Sequence, residues 1–300
     1  MKILASDLDG TLIVNNNISK ENIEAIHRLK ENGGKFIIST GRTFNGVKNI
    51  IDTYPLEYDY LSLCNGGLII DKDNNVVWDK WVPSKVYKSI LEDYYDNEDV
   101  IISGDDSKNV NAVWKGGSNL EKNLSDFNIP FKKLSKGEMM SRDNDFKMMS
   151  LFTFSEDYHW AENAKEEVIK KYGEYVEAYR NQFFVDIVPK GCSKGNALLK
   201  ILELEGEVKE NLYTIGDSFN DLSMIKITPN GYTFNRAEEK LKKSVNNFVD
   251  NVYEIVECFT IWCVYVSERQ CAVAKRESDG GYAKRGINHG VGRTGEAVEV

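Results

Sequence analysis

The 300-residue sequence lacks the long apolar runs and patterned cysteines that would place it in a membrane or disulfide-rich class. It contains no stretch of about 18 or more apolar residues, and no charged, apolar and small-residue leader opens the chain. A cytoplasmic protein without a membrane partner is therefore expected. Its five cysteines are odd in number and none stands in Cys-x-x-Cys spacing, which favours free thiols over disulfide bonds or a zinc site.

Excess positive charge is also absent, since the formal net charge is -9. An acidic chain offers no electrostatic surface for nucleic acid, although a local basic pocket for a phosphate group remains compatible with it. With 41% hydrophobic and 28% charged residues, the composition is that of a globular chain long enough for two domains.

Two carboxylates, Asp7 and Asp9, follow a short apolar run near the N-terminus. Desolvating two like charges at the end of a buried strand is costly, and a multivalent cation would remove that cost. A polar turn is the alternative interpretation, because Asp and Gly are common turn residues. The motifs further along the chain favour the cation.

Alternating strands and helices occupy residues 2–64 and predict an α/β fold with a doubly wound parallel sheet. Residues 36–38 are a continuous apolar run, as in a strand covered on both faces, and residues 61–64 are interpreted as a further strand. Ligands bind such sheets at the carboxyl ends of the strands. Six candidate residues follow strands at this edge: Asp7, Asp9, Thr40, Gly41, Arg42 and Asn65.

An inserted α+β domain is predicted for residues 83–181, with helices over 85–95, 120–127 and 160–172 and short strands between them. A hairpin over 68–78 is expected to leave the parallel layer before it. The parallel pattern is expected to resume with residues 183–188. The core domain is thus predicted to be discontinuous, over 1–82 and 182–258.

A second acidic pair, Asp217 and Asp221, follows the apolar run 212–215, and Lys194 stands at the start of an amphipathic helix. Alone, these residues could cap a helix or be solvated. Oxygen ligands from two strand ends together favour a hard ion such as Mg²⁺. The same sheet edge also carries the Thr40 hydroxyl, the Lys194 cation and glycine-rich turns, which are groups that bind phosphate oxygens. This combination indicates phosphoryl transfer.

The chain carries four short motifs in order along the sequence. They are Asp7-Leu8-Asp9-Gly10-Thr11-Leu12, Ser39-Thr40-Gly41-Arg42, Ser193-Lys194-Gly195 and Gly216-Asp217-Ser218-Phe219-Asn220-Asp221. Together these motifs resemble those of the haloacid dehalogenase superfamily of phosphatases, and more narrowly its Cof-type subfamily with a type IIB cap. The resemblance covers residues 1 to about 258.

The resemblance implies a role for each matching position. Asp7 corresponds to the nucleophile that becomes an aspartyl phosphate, and Asp9 to the residue that protonates the leaving alcohol and then activates water. Thr40 and Lys194 correspond to the residues that hold the phosphoryl group, with Lys190 as a rival for the lysine.

Mg²⁺ is implied as the cofactor, held by the Asp7 carboxylate, the Asp9 main-chain carbonyl and Asp217. Asp221 is not a direct ligand in this scheme but orders a metal-bound water or Lys194. The resemblance further implies a phosphate pocket. For Arg42 a structural ion pair is the alternative to substrate contact. The pocket residues are Leu8, Gly41, Arg42, Asn65 and Asn220.

The insert corresponds to the cap that chooses the leaving group in this family. Its candidate contacts with substrate, on position alone, are Arg180, Asn181, Trp114 and the Gly116-Gly117 turn. The implied function is a Mg²⁺-dependent phosphomonoesterase of small phosphorylated metabolites. Sugar phosphates are the expected main substrates, and flavin mononucleotide or pyridoxal phosphate are expected to be tolerated as well. A phosphomutase and a non-catalytic phosphate-ligand sensor stay open as alternatives, and a monomer or homodimer is expected.

Residues 259–300 depart from the family pattern. Their apolar start could add a strand or mediate association, and the rest is rich in Gly, Arg and Lys without usable periodicity. We expect an appended, poorly packed tail that the activity does not need.

Overall fold

The computed structural model describes residues 1–54, 56–116, 131–143, 146–153 and 157–258. The predicted helix over 120–127, Gly117 and the tail over 259–300 lie outside these ranges. None of the helices described has the length and apolar character that a bilayer span requires. The thiols of Cys64, Cys192 and Cys258 are free, as expected.

The helices and strands form two sheets and the helices that cover them. In chain order they are β1 (Ile3–Ser6), α1 (Lys20–Glu31), β2 (Lys35–Ser39), α2 (Phe44–Thr53), β3 (Tyr60–Leu63), β4 (Leu68–Asp71), β5 (Val76–Asp79), α3 (Ser84–Tyr95), β6 (Val100–Asp105), β7 (Val110–Val113), β8 (Phe131–Lys133), α4 (Lys136–Met140), β9 (Met148–Thr153), α5 (Tyr158–Tyr172), β10 (Val176–Asn181), β11 (Phe184–Pro189), α6 (Lys194–Glu205), β12 (Leu212–Ile215), α7 (Leu222–Ile225), β13 (Asn230–Phe234), α8 (Glu239–Lys242) and β14 (Asn247–Val249).

The first sheet has eight strands in the order β14-β13-β12-β1-β2-β3-β4-β5. All neighbours from β14 to β3 are parallel, so the predicted doubly wound core is confirmed. The chain runs outward from β1 in both directions, through β2 and β3 on one side and through β12, β13 and β14 on the other. The polar loops that follow β1, β2 and β12 therefore meet at a topological switch point, where such sheets bind ligands.

Local sequence explains why these elements form. Ser19 caps α1, its hydroxyl accepting a hydrogen bond from the Asn22 N–H at 3.2 Å. The apolar run 36–38 in β2 is fully buried, as expected of a strand covered by helices on both faces.

The hairpin prediction was right about the turn and wrong about where its strands lie. β4 and β5 pair with each other in an antiparallel ladder, but β4 also pairs antiparallel with β3. The hairpin thus extends the first sheet by two strands rather than leaving it. A chain that turns back directly after β3 can pair with the edge of that strand, so β3 is not left as an exposed edge strand.

The second sheet has six strands in the order β10-β11-β9-β6-β7-β8, antiparallel except for the β7–β8 pair. Residues of α3 and α5 pack on one face of it, in a buried apolar cluster that includes Tyr87, Ile90, Val168 and Ile187. An α+β unit is therefore inserted between the two parts of the first sheet, as predicted.

The predicted assignment of residues 183–188 to the parallel core is wrong. β11 pairs antiparallel with β10 along its whole length and with β9 on its other side, so it belongs to the second sheet. A buried apolar run reads alike in either sheet, because periodicity does not report which partner strand it pairs with. The second sheet consequently ends at Pro189, beyond the predicted boundary at residue 181.

Candidate active site

Asp7 and Asp9 lie in the loop that follows β1. Asp7 is 5% exposed, and its N–H donates to the Ile215 carbonyl of β12 at 3.0 Å. Leu8 between them is buried, and its carbonyl accepts from the Ile13 N–H at 2.7 Å. The loop thus keeps the Asp7 carboxylate buried at the end of β1 and leaves the Asp9 side chain 48% exposed.

The loop after β12 carries the second acidic pair. Asp221 is fully buried, and its Oδ2 accepts from the N–H groups of Asp217 and Ser218, both at 2.9 Å. Gly216 permits this fold-back, because a Cβ there would stand 2.3 Å from the Asp221 side chain. The Asp221 carboxylate thereby fixes the backbone that presents Asp217.

Lys194 links the two loops. Ser193 caps α6 by accepting from the Asn196 N–H at 2.9 Å, so Lys194 is the first residue of the helix. Its side chain is 1% exposed, and its Nζ donates to Asp7 Oδ1 and Asp221 Oδ1, each at 2.6 Å. A lysine at a helix N-terminus opposes the helix dipole, and here two carboxylates compensate it. The rival Lys190 pairs instead with Glu177 at 3.1 Å and is half-exposed.

Burial and mutual repulsion set the charge states of these acids. Burial raises the pKa of Asp7 well above its ordinary value, and the charges of Asp221, Asp217 and Asp9 add to the rise while Lys194 opposes it. Burial and the Asp221 charge raise the pKa of Asp217 to about 6. Burial lowers the pKa of Lys194, but the charges of Asp221 and Asp7 outweigh it, so the net direction is upward. The lysine is thus a permanent cation among crowded acids.

The crowding fits a divalent metal ion. Asp7, Asp217 and Asp221 each bring a carboxylate oxygen within 4.8 Å of the others. Thr11 donates to Asp217 Oδ1 at 3.0 Å and orients it, and Gly10 leaves room, because a Cβ there would lie 2.5 Å from Asp217 Oδ2. Carboxylate oxygens are ligands that Mg²⁺ prefers, and a bound cation would offset the repulsion that helps to raise the pKa values of Asp7 and Asp217.

The hydrogen bonds separate direct ligands from supporting ones. Both Asp221 oxygens are engaged, one by Lys194 and the other by two N–H groups. Asp7 keeps Oδ2, which accepts no hydrogen bond within the described ranges. The free Asp7 oxygen agrees with Asp7 and Asp217 as direct metal ligands, and the occupied Asp221 oxygens agree with Asp221 as a residue that supports them. This arrangement stays a proposal.

The loop after β2 reaches Asp9. Thr40 is buried, its N–H donates to the Ser62 carbonyl at 2.8 Å, and its Oγ1 accepts from the Arg42 N–H at 3.1 Å. Arg42 Nε and Nη2 donate to the two Asp9 oxygens, each at 2.7 Å. Between the two interpretations of Arg42, the structure contains the ion pair, a bidentate one. Burial lowers the Arg42 pKa, and hydrogen bonding to Asp9 more than reverses it.

Asn65 and Asn220 lie side by side, and the Asn220 Nδ2 donates to Asn65 Oδ1 at 3.3 Å. The Asn65 Nδ2 donates at 2.7 Å to Asp186 of β11, in the second sheet. Gly41 is adjacent, since a Cβ on it would lie 3.4 Å from Asn65 Nδ2. The structure therefore brings Gly41, Asn65 and Asn220 of the predicted pocket together, while the Leu8 side chain is buried and Arg42 pairs with Asp9. Contact of any of them with phosphate stays a proposal.

The candidate substrate contacts of the insert have protein partners. Arg180 donates to Glu162 at 3.1 Å and to Glu238 Oε2 at 3.1 Å, and its guanidinium lies 4.8 Å from the Phe219 ring centroid. Asn181 donates to Asp186 at 3.4 Å. Trp114 is buried in an apolar cluster with residues such as Ile101, Ala112 and Phe152. Substrate contact by any of them, or by Gly116, stays a prediction.

Sequence reasoning missed two functional candidates, Thr11 and Asp186. Thr11 was visible, because it stands inside the Asp-x-Asp-Gly-Thr motif, and a hydroxyl four residues after an acid is a natural partner for a second acid. Asp186 carried a weaker signal, a carboxylate within the apolar run 183–188. Buried acids in strands need partners, and that rule could have marked it.

A cavity of about 460 Å³ opens beside the two acidic loops. Asp9, Gly10 and Asp217 form one wall of it, and Asn15, Asn16 and Arg236 line the rest. The Arg236 guanidinium donates to the Gly10 carbonyl at 2.8 Å and to the Asp250 carbonyl at 3.0 Å. The acids are thus accessible from solvent on this side.

Fold, site and motifs together define a hydrolase of the haloacid dehalogenase type. A model of the haloacid dehalogenase-like hydrolase family matches residues 4–255, most of the chain, and the chain belongs to this family. The predicted resemblance, and with it the expected class of enzyme, a phosphatase, is confirmed.

Individual relatives agree with this assignment. A 5-amino-6-(5-phospho-D-ribitylamino)uracil phosphatase of Bacillus subtilis, YwtE, is 27% identical over 269 residues, covering 81% of this chain and 91% of the relative. The subclass IIB sugar phosphatase BT4131 superposes with a TM-score of 0.72 at 22% identity, covering 87% of this chain and 100% of its own. A haloacid dehalogenase-like hydrolase from B. subtilis superposes with a TM-score of 0.75 at 21% identity, covering 86% and 99%. At such identities the structural likeness shows the fold.

Proposed function

We propose that this chain is a Mg²⁺-dependent phosphomonoesterase of small phosphorylated metabolites that carries the phosphoryl group on Asp7. One observation carries the proposal. The buried Lys194 amine holds Asp7 and Asp221 at 2.6 Å each, which brings the ends of β1 and β12 to one point. A nucleophile, a permanent cation and a cluster of oxygen ligands are then within reach of one phosphate ester.

In the proposed reaction, the Asp7 carboxylate attacks phosphorus and the bond between phosphorus and the leaving oxygen breaks. Asp9 gives its proton to that oxygen, releasing the alcohol. A water molecule then gives a proton to Asp9 as it attacks the aspartyl phosphate, releasing phosphate and the Asp7 carboxylate. Lys194, which donates to Asp7 Oδ1, opposes the rise in the Asp7 pKa and orients the nucleophile. Asp7, Asp217 and the Asp9 main-chain carbonyl would hold Mg²⁺, which would supply positive charge to stabilise the phosphoryl oxygens.

The ion pair between Arg42 and Asp9 must open in part before Asp9 can act as a general acid. Both Asp9 oxygens accept hydrogen bonds from Arg42, so both of the oxygens that could carry the proton are occupied. General acid catalysis requires that one of these bonds be released when substrate is present. The pair is more than a third exposed on both sides, so its release costs about 1 kcal/mol or less.

Sugar phosphates are the proposed substrate class, with flavin mononucleotide and pyridoxal phosphate as further candidates. The support comes from relatives: one is named for a phosphorylated ribitylamino compound and another as a sugar phosphatase. The open cavity beside Asp9, with its asparagine side chains, is compatible with a polar leaving group.

Phosphate release from p-nitrophenyl phosphate and from a panel of phosphorylated metabolites tests the proposal, with Mg²⁺ or with EDTA. We expect Asp7→Asn to reduce kcat by about 10³-fold or more, and Asp9→Asn by 10²-fold or more. Asp52→Asn makes the same chemical change on an exposed carboxylate of α2 and should leave kcat unchanged.

Three outcomes would contradict the proposal in different ways. Turnover that survives Asp7→Asn would overturn the covalent route. A phosphoryl group returned to another position of the same sugar would identify a phosphomutase. Phosphate binding without turnover of any ester would identify a sensor.

A further inference from the structure

Asp186 is a buried acid on β11 of the second sheet, and its side chain contacts Asn65 of the candidate site. Its side chain is 3% exposed and accepts hydrogen bonds from Ser150 Oγ at 2.9 Å, Asn181 Nδ2 at 3.4 Å and Asn65 Nδ2 at 2.7 Å. Burial raises its pKa, and these hydrogen bonds oppose the rise. Three donors around one group match a carboxylate, which only accepts.

The turn that carries Asn65 is fixed by the core and not by Asp186. The Asn65 N–H donates to the Thr40 carbonyl at 3.0 Å, and the Cys64 N–H donates to the Arg42 carbonyl at 3.1 Å. Asn65 has a left-handed backbone with φ of 48°, which asparagine tolerates well. Gly66 follows with φ of +89°, and a Cβ there would lie 2.3 Å from the Ser193 carbonyl.

With the backbone fixed, the orientation of the Asn65 amide remains to be determined. A carboxylate accepts from the NH₂ end only, so Asp186 directs Nδ2 toward itself and Oδ1 toward Asn220. Asn220 then presents its own NH₂ end to Asn65, and its Oδ1 is buried without a hydrogen-bond partner among the described residues. Without Asp186, either amide could rotate end for end to pair this oxygen.

The geometry points to Asp186 as a positioning residue: by fixing the Asn65 amide it fixes the Asn220 amide, whose second N–H then faces a phosphoryl oxygen of the substrate. The Asn65 NH₂ group itself is taken up by Asp186 and by the Met148 sulfur, 3.4 Å from its Nδ2. This inference rests on the proposed function for its ligand, a phosphate group beside Thr40. It assigns to the inserted sheet a part in phosphate binding as well as in covering the site.

Chemistry makes the orientation consequential. A phosphoryl oxygen only accepts hydrogen bonds, so an N–H attracts it and an amide oxygen repels it. Because Asp186 comes from β11 and the two asparagines from the core, the amide pair is oriented only when the second sheet lies on the first.

Binding of inorganic phosphate in the presence of Mg²⁺, measured by calorimetry on the full chain, tests this role. Asp186→Leu should raise the dissociation constant about tenfold, the loss of one good hydrogen bond to an ion. Ser150→Ala removes a different hydrogen bond from the same carboxylate and should change it less than about twofold. Asp186→Asn, which can still accept from Asn65, should fall between them.

A double variant separates positioning from general destabilisation. On the Asp186→Leu background, Asn65→Ala should weaken phosphate binding by less than about twofold further, because the amide has already lost its orientation. The inference would be overturned if the two substitutions raised the dissociation constant by the product of their separate effects. It would also be overturned by an Asp186→Leu protein with a lower Tm and unchanged phosphate affinity. If Asp186→Leu does not fold, unchanged affinity in Asp186→Asn would overturn it as well.

The same experiment distinguishes this inference from the proposed function. A wild-type protein that binds phosphate but hydrolyses no ester would contradict the proposed function, and the affinities of the variants would still decide the role of Asp186. A wild-type protein that binds no phosphate would overturn both.

Discussion

Replacing Lys194 with methionine tests how the site is held together. The lysine is 1% exposed between Asp7 and Asp221, whose side chains are 7% and 0% exposed. Methionine fills a similar volume but carries no charge. The change therefore leaves two buried carboxylates without their shared cation.

The expected loss of stability is large for one side chain. Removing one partner of a buried ion pair costs about 3–5 kcal/mol, because the remaining charge stays desolvated. At about 2–4 °C per kcal/mol for a domain of this size, Tm should fall by roughly 10 °C. The loss should be smaller at pH 5 than at pH 7, since burial already raises the pKa of Asp7 and protonation removes its charge.

Thermal unfolding followed by circular dichroism in EDTA measures this loss. Lys147→Met is the matched control: Lys147 is 2% exposed and pairs with Asp79 at 2.6 Å, but the Asp79 side chain is 44% exposed. Water can solvate that carboxylate, so the control should lose about 1 kcal/mol. A Lys194→Met protein no less stable than the control, or equally destabilised at both pH values, would refute the reasoning.

Three further predictions concern neighbouring residues. Arg42→Lys keeps one hydrogen bond to Asp9 and frees the other oxygen, so kcat should change by less than about threefold with Tm changed by less than about 3 °C; a tenfold fall in kcat would show that both bonds are needed. Gly10→Ala adds a Cβ 2.5 Å from Asp217 Oδ2 at a φ of +77°, and titration calorimetry should show Mg²⁺ affinity reduced tenfold or more, whereas unchanged affinity would place the metal elsewhere. Asp217 has a pKa of about 6 against an ordinary 3.8, so without metal the folded state binds the extra proton and the free energy of unfolding should fall by up to about 3 kcal/mol as pH rises from 4 to 6. Mg²⁺ should therefore raise Tm more at pH 7 than at pH 5, and an equal rise at both would contradict this.

The parallel core was predictable because its signals are local. The apolar runs of β1, β2 and β12 end directly at polar motifs, and parallel strands bring such ends to one edge. The second sheet was less predictable, because strand pairing is decided by contacts distant in sequence. β11 was accordingly assigned to the wrong sheet, although its apolar character was evident.

The site shows the same division. Lys194 was chosen over Lys190 from its Ser-Lys-Gly context, and the structure buries it between two acids. Residue patterns alone do not identify its two carboxylate partners, which lie 187 and 27 positions away along the chain. Asp186 escaped notice because its importance depends on Asn65, a residue 121 positions away that only folding brings close.

Covalent transfer to Asp7 is the central claim, and mass spectrometry tests it most directly. The enzyme would be mixed with an excess of a phosphorylated substrate and Mg²⁺, quenched in acid within one turnover, and digested. The account predicts that the peptide containing Asp7 gains one phosphoryl group, that Asp9→Asn accumulates more of it, and that Asp7→Asn gains none. A phosphoryl group on any other residue, or phosphate release with none on Asp7 at any quench time, would contradict it.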